Sequence, residues 1–182
     1  MRSRRLVRVL VAGGLAAWVW SWAAYAFASF PFASPVEGVK ASRIPPSFHA
    51  PRPPGRHEGI DILAARGTAV RSVAWGVVVK IEVQRKGGKT VLVAGRGGLL
   101  FFYAHLDAWA PGLHLGQVVG EGELLGRVGD TGNARGIPHL HFEARPMATA
   151  CAPVDPLTVI GPHPLSPAAR TLHALSEIGD PR

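Results

Sequence analysis

The sequence predicts an all-β fold, mostly antiparallel sheet or sandwich, behind an N-terminal helix that serves as membrane anchor or export signal. Three observations predict it. Gly and Pro are abundant, at 22 and 16 of 182 residues, while charged residues make up only 18%. That balance favours strands and turns over a helical bundle. From Gly59 to Arg145, short apolar runs end at Gly-rich turns, the pattern of a sandwich or barrel-like sheet. And Arg2, Arg4, Arg5 and Arg8 precede an almost unbroken apolar run from Val9 to Phe32, the layout of an export signal.

The N-terminal run has two fates. It is long enough to span a bilayer, for which roughly 20 apolar residues suffice. It also holds small-x-small sites, Ala24-Tyr25-Ala26 and Ala26-Phe27-Ala28, suited to cleavage. Aromatic residues continue past those sites to Phe32, which favours the uncleaved anchor. Either fate puts the rest of the chain outside the cytoplasm. The four arginines supply half of the formal net charge of +8, and the remaining excess is mild. It suits an anionic wall or membrane surface, and no basic-aromatic array argues for nucleic acid. The single cysteine, Cys151, rules out an internal disulfide and suits a small, partly buried apolar position.

The expected organisation is signal or anchor over 1–33, Pro-rich linker over 34–46, folded domain over 47–160 and an extension over 161–182. Seven prolines between Pro31 and Pro54 exclude a helix there and leave an extended linker or a wrapping arm. Strands are expected at Ile60–Ile62, Ala69–Val73 and Trp75–Gln84. In the last, Val77, Val79, Ile81 and Val83 alternate with Lys80, Glu82 and Gln84. Turns at 86–89 and 95–98 flank a strand from Thr90 to Ala94, and Leu99–Leu106 follows. Short strands around Val118-Val119 and Leu124-Leu125 sit between glycines, residues 130–136 form a loop, and a final strand carries His139-Leu140-His141-Phe142. A weakly amphipathic helix is expected from Pro167 to Ile178.

The last strand carries the first chemistry. Residues i and i+2 of a strand share a face, roughly 6.5–7 Å apart. His139 and His141 therefore face one way while Leu140 and Phe142 anchor the other side. The spacing suits one ring on a metal and the other near a water at that metal. His57 and Asp61 would lie about 13 Å apart if fully extended, but a bend at Gly59 brings them together. His57, Asp61 and His141 then make a three-ligand set with a fourth position open, and the nitrogen ligands favour Zn2+ over harder metals. Each fragment alone has a plainer reading: surface histidines on a half-buried strand, a loop histidine beside a strand, and, for His105 after Tyr103-Ala104, a hydrogen-bonded core residue.

Taken together, His57-x-Gly59-x-Asp61, Tyr103-x-His105-Leu106, His139-Leu140-His141-Phe142 and the Gly-rich connector from Gly116 to Gly132 resemble the lysostaphin/LytM-type zinc metallopeptidases in order and approximate separation. The resemblance runs from about Ser47 to Pro156. It implies a mostly antiparallel fold with a groove over the sheet, zinc on His57, Asp61 and His141, and His105 and His139 as the two catalytic histidines. It also implies hydrolysis of peptide cross-links in bacterial peptidoglycan by metal-activated water. The D-alanyl-diaminopimelate bond is the expected target and a glycyl bond the alternative. The expected enzyme is a monomer tethered at the periplasmic face of the inner membrane, or periplasmic or secreted if the signal is cleaved. Latent relatives use an inhibitory Asn as a fourth ligand; residues 31–56 contain none, and His49 is the only substitute there. Two other functions compete: a non-catalytic regulator of another wall hydrolase, which typically lacks some of these five residues, and a lipoyl-type carrier, which would leave the histidines unexplained. Trp75 and Trp109 are candidates for a groove wall or sheet-edge packing, and Arg135 for a substrate carboxylate or plain solvation.

Overall fold

The computed structural model describes residues 32–53, 55–149 and 152–160. The expected N-terminal helix, Cys151 and the expected helix at 167–178 lie outside them. Among the described residues ten strands form: β1 (Pro51–Arg52), β2 (Gly55–Arg56), β3 (Ile60–Leu63), β4 (Ala69–Arg71), β5 (Gly76–Gln84), β6 (Gly88–Gly95), β7 (Leu99–Trp109), β8 (Val118–Val119), β9 (Leu124–Val128) and β10 (His139–Pro146). Among the described residues the helical elements are short 3₁₀ turns alone. The main sheet runs β3-β10-β7-β6-β5-β8, with β9 pairing both β7 and β4, and every strand pairing in it is antiparallel. β1 and β2 form a separate hairpin.

Strand alternation divides the sheet into two faces. One carries Ile60 and Ile62, Leu140 and Phe142, Phe101 and Tyr103, and Val91 and Val93, all fully or almost fully buried. This face joins Val70, Leu125 and Val128 from β4 and β9 in the core. Phe101 stacks on Phe142 at 6.1 Å, Tyr103 tilts against the same ring at 5.3 Å, and the Tyr103 hydroxyl accepts the buried Val73 N–H at 3.1 Å. The opposite face is the floor of a groove. Cross-strand register sets Asp61 beside His141 beside Ala104, and in the next row Glu143 beside Phe102 beside Leu92 beside Lys80.

Two expectations change. Val77, Val79, Ile81 and Val83 do not share a buried face. Pairing with β6 shifts register between Val78 and Lys80, and such a bulge resets the alternation. Val78 is the fully buried residue, whereas Val77, Val79 and Val83 are exposed. The polar set keeps its face, since Lys80 and Gln84 both line the groove. Of the two readings of the Pro-rich segment, the structure has the wrapping arm. Val36 and Ile44 are buried in the core, Val36 bridges Val70, and Phe32 bridges Ile160. Val36 and Ile44 join the hydrophobic core, while the backbone of Pro35 and Glu37 hydrogen-bonds the edge of β4.

Candidate active site

His57 and Asp61 meet because the chain bends between them. Gly59 makes the bend because a Cβ there would stand 2.3 Å from the Phe142 carbonyl oxygen and 2.9 Å from the Glu143 side chain. Glycine lets β3 enter directly against β10, and Asp61 comes opposite His141. The result is tight: His57 Nε2 lies 2.9 Å from His141 Nδ1, and Asp61 Oδ1 lies 3.1 Å and 3.0 Å from those two nitrogens. All three ligand atoms fall within 4.8 Å of one another.

The other nitrogen of each ring is committed. His57 Nδ1 sits 2.7 Å from the Ser47 carbonyl, and His141 Nε2 sits 2.8 Å from Glu143 Oε1. A carbonyl and a carboxylate only accept, so those nitrogens carry the protons. Two lone pairs and one carboxylate oxygen then face a single point, an arrangement that repels itself unless a cation is present. Two imidazoles and a carboxylate with one direction open match a zinc site ready for water or substrate. The carboxylate behind His141 is the outer partner that fixes such a ligand. The surroundings favour positive charge. Burial works against a charged His141, yet Asp61 and Glu143 raise its proton affinity. Burial likewise opposes a charged Asp61, but its close polar neighbours His141, His57 and Arg52 hold its carboxyl well below the usual range.

His139 and His105 complete the ring of imidazoles. His139 Nε2 is 3.7 Å from Asp61 Oδ1, and its Nδ1 donates to the Ile137 carbonyl at 2.7 Å. His105 donates from Nδ1 to the Thr131 carbonyl at 2.8 Å, and its ring centre lies 4.8 Å from that of His139 and 5.9 Å from that of His141. Ala104 and His105 both line the groove, although neighbours in a regular strand face opposite ways. The left-handed backbone of His105, at φ 63°, accounts for it, and its N–H is held by the Gly87 carbonyl at 2.7 Å. A non-glycine residue in that conformation costs about 1–3 kcal/mol and persists where its surroundings enforce it. Burial pushes the His105 imidazole down to about 4. Both rings are buried, and the neutral His105, with Nδ1 protonated, offers Nε2 as an acceptor.

All five residues singled out from the sequence therefore converge. Glu143 was not singled out. It is buried at 7% exposure and also accepts from Arg145 Nε at 2.7 Å, and Arg145 in turn reaches Glu58. The signal was available: Glu143 lies two residues beyond His141, hence on the same face. Arg52 is the second addition, as the β1–β2 hairpin brings its guanidinium onto Asp61. His49 stacks on Phe48 at 4.0 Å and is not one of the clustered ligand residues. Trp109 packs against the core and donates to the Thr90 carbonyl, while Trp75 is 62% exposed and is not among the groove residues. Arg135 is likewise not among them, although Asn133 of the same loop is. The groove encloses about 690 Å³ over the sheet.

The profile of peptidase family M23 matches residues 55–156, more than half of the chain, and this span includes all five residues. The chain belongs to peptidase family M23. Its M23 domain is 43% identical over 110 residues to the DD-carboxypeptidase/endopeptidase Mpg of Neisseria meningitidis serogroup B, covering 59% of this chain and 24% of that protein. It is 35% identical over 92 residues to the L-Ala--D-Glu endopeptidase of Bacillus subtilis, covering 47% and 28%. The chain thus spans about a quarter of the length of these curated relatives. Among solved structures, a zinc containing peptidase from Vibrio cholerae superposes with a TM-score of 0.60 at 27% identity, over 73% of this chain and 41% of that one.

Proposed function

We propose that this M23 domain is a zinc-dependent endopeptidase that hydrolyses peptide cross-links of bacterial peptidoglycan. One observation carries the reading: three acceptor atoms of His57, Asp61 and His141 converge beside two further histidines, His105 and His139, each held at Nδ1 by a backbone carbonyl. Membership of family M23 and the endopeptidase names of its relatives support the reaction class. His57 through Nε2, His141 through Nδ1 and Asp61 through a carboxylate oxygen would hold the metal. Zinc held there would supply Lewis acidity and make water a nucleophile near neutral pH.

The chain's own groups do the rest. His105 suits proton removal from the attacking water, because its Nε2 is neutral at physiological pH. The proton that His105 takes from the water goes on to the leaving amine, and His139, beside Asp61, suits stabilising the charged tetrahedral centre when its Nε2 is protonated. Glu143 and the Ser47 carbonyl hold the ligand tautomers throughout. The D-alanyl-diaminopimelate cross-link is the proposed target, in keeping with the DD-carboxypeptidase/endopeptidase name of the Neisseria relative. The proposed setting is the periplasmic face of the inner membrane, through the basic and apolar segment 1–33.

The test is digestion of cross-linked muropeptides by the zinc-loaded full chain and by His105→Ala and His139→Ala. Each substitution is expected to lower turnover by about 10²–10⁴-fold while zinc stays stoichiometric. Zinc binding without cleavage by the wild type would favour the regulator over the enzyme.

A further inference from the structure

The groove is lined by more cations than its acids can pair. Lys80 pairs with Glu82 at 2.8 Å, Arg145 with Glu143 at 2.7 Å and with Glu58, and Arg52 with Asp61. Lys86 and Arg56 remain. Both line the groove, and among the described residues neither forms an ion pair. Among the described residues, the side chain of Arg56 makes a single long hydrogen bond, 3.5 Å to the His49 carbonyl.

Their positions tie them to the site. Arg56 ends β2 and directly precedes the candidate ligand His57. Lys86 occupies the β5–β6 turn, directly before Gly87, whose carbonyl holds the His105 N–H at 2.7 Å. The turn is fixed in place. The Lys86 carbonyl accepts the Asn133 N–H at 2.9 Å, Lys89 N–H donates to Thr131 Oγ1 at 3.0 Å, and a Cβ on Gly88 would stand 2.1 Å from that same oxygen. One unpaired cation therefore adjoins the ligand side of the site, and a second adjoins the His105 side.

We infer that Lys86 and Arg56 are specificity-determining residues that receive a free carboxylate of the substrate peptide beside the scissile bond. This rests on the endopeptidase reading above and narrows it. The enzyme would select cross-links whose residue on the amine side of the scissile bond keeps its carboxylate, over amidated or glycyl cross-links. A cation without an acidic partner in a partly enclosed groove gains a charge-assisted hydrogen bond from a bound carboxylate. A carboxamide of the same shape offers no net charge, so the pair discriminates by charge rather than by size.

The experiment compares two synthetic cross-linked dimers that differ only in whether that carboxyl is free or amidated. The zinc-loaded full chain cleaves both in parallel with Lys86→Gln, Lys86→Arg, Arg56→Gln and the double glutamine variant. The wild type should prefer the free acid by about tenfold in kcat/KM, with the difference mainly in KM. Each glutamine variant should shrink the preference, the double variant should abolish it, and Lys86→Arg should retain it. Equal cleavage of both dimers by the wild type, or an undiminished preference in the double variant, would overturn the assignment and leave the endopeptidase reading standing. Cleavage of neither dimer by the zinc-loaded wild type would instead overturn that reading, and this inference with it.

Discussion

Replacing Glu143 tests whether the groove face is built to hold a metal. Its carboxylate accepts from His141 Nε2 at 2.8 Å, is only 7% exposed, and is itself oriented by Arg145 at 2.7 Å. Glu143→Gln keeps an acceptor for His141 but removes the charge and the Arg145 contact. Glu143→Ala removes both and lets the ring turn or change tautomer, so that Nδ1 no longer presents its lone pair. Loss of such an outer partner weakens metal binding by about 10–100-fold, or about 1.4–2.8 kcal/mol. The glutamine should fall at the lower end and the alanine at the upper. The assay is zinc competition against a chromophoric chelator, with a thermal melt of each metal-free variant to show that the fold is kept. A zinc affinity within about twofold of wild type in a folded Glu143→Ala would refute the account of how His141 is held.

Two further perturbations follow from the same geometry. His105 is held neutral by burial, down to about 4 against 6.5 in the unfolded chain, so below 6.5 the unfolded chain takes up a proton that the folded chain refuses. Stability is thus lost as pH falls towards 4. Metal-free protein should lose about 2 kcal/mol from this group between pH 7 and pH 5, and urea midpoints of His105→Gln should show a smaller acid-side loss by that amount. Gly59→Ala would press a methyl group onto the β10 backbone. It should cost about 1–3 kcal/mol in denaturant unfolding and lower zinc occupancy, because the bend that joins His57 to Asp61 must open.

The fold class could be read because its signal is local. Leu140 and Phe142 face inward and the histidines outward from period-two alternation alone, and Gly59 marked the bend that makes His57 and Asp61 neighbours. What could not be read depends on partners far along the chain. The bulge at Val78/Lys80 inverts the burial of Val77 and Val79, and nothing in the spacing of the valines announces it. The left-handed turn that aims His105 into the groove is enforced by Gly87, Thr131 and Leu106, across strand pairings that no periodicity encodes. Val36 and Ile44 look like linker residues beside so many prolines, and their burial depends on core residues far along the chain. Glu143 was within reach of the alternation rule, but its role appears only once Arg145 and His141 are seen on either side of it.

The most direct test is zinc content measured together with cleavage of cross-linked muropeptides, for the full chain and for His141→Ala. The account predicts one zinc per chain and cleavage in the wild type, with both lost in the variant. A wild type that binds no zinc, or a His141→Ala that keeps its zinc and its activity, would contradict it.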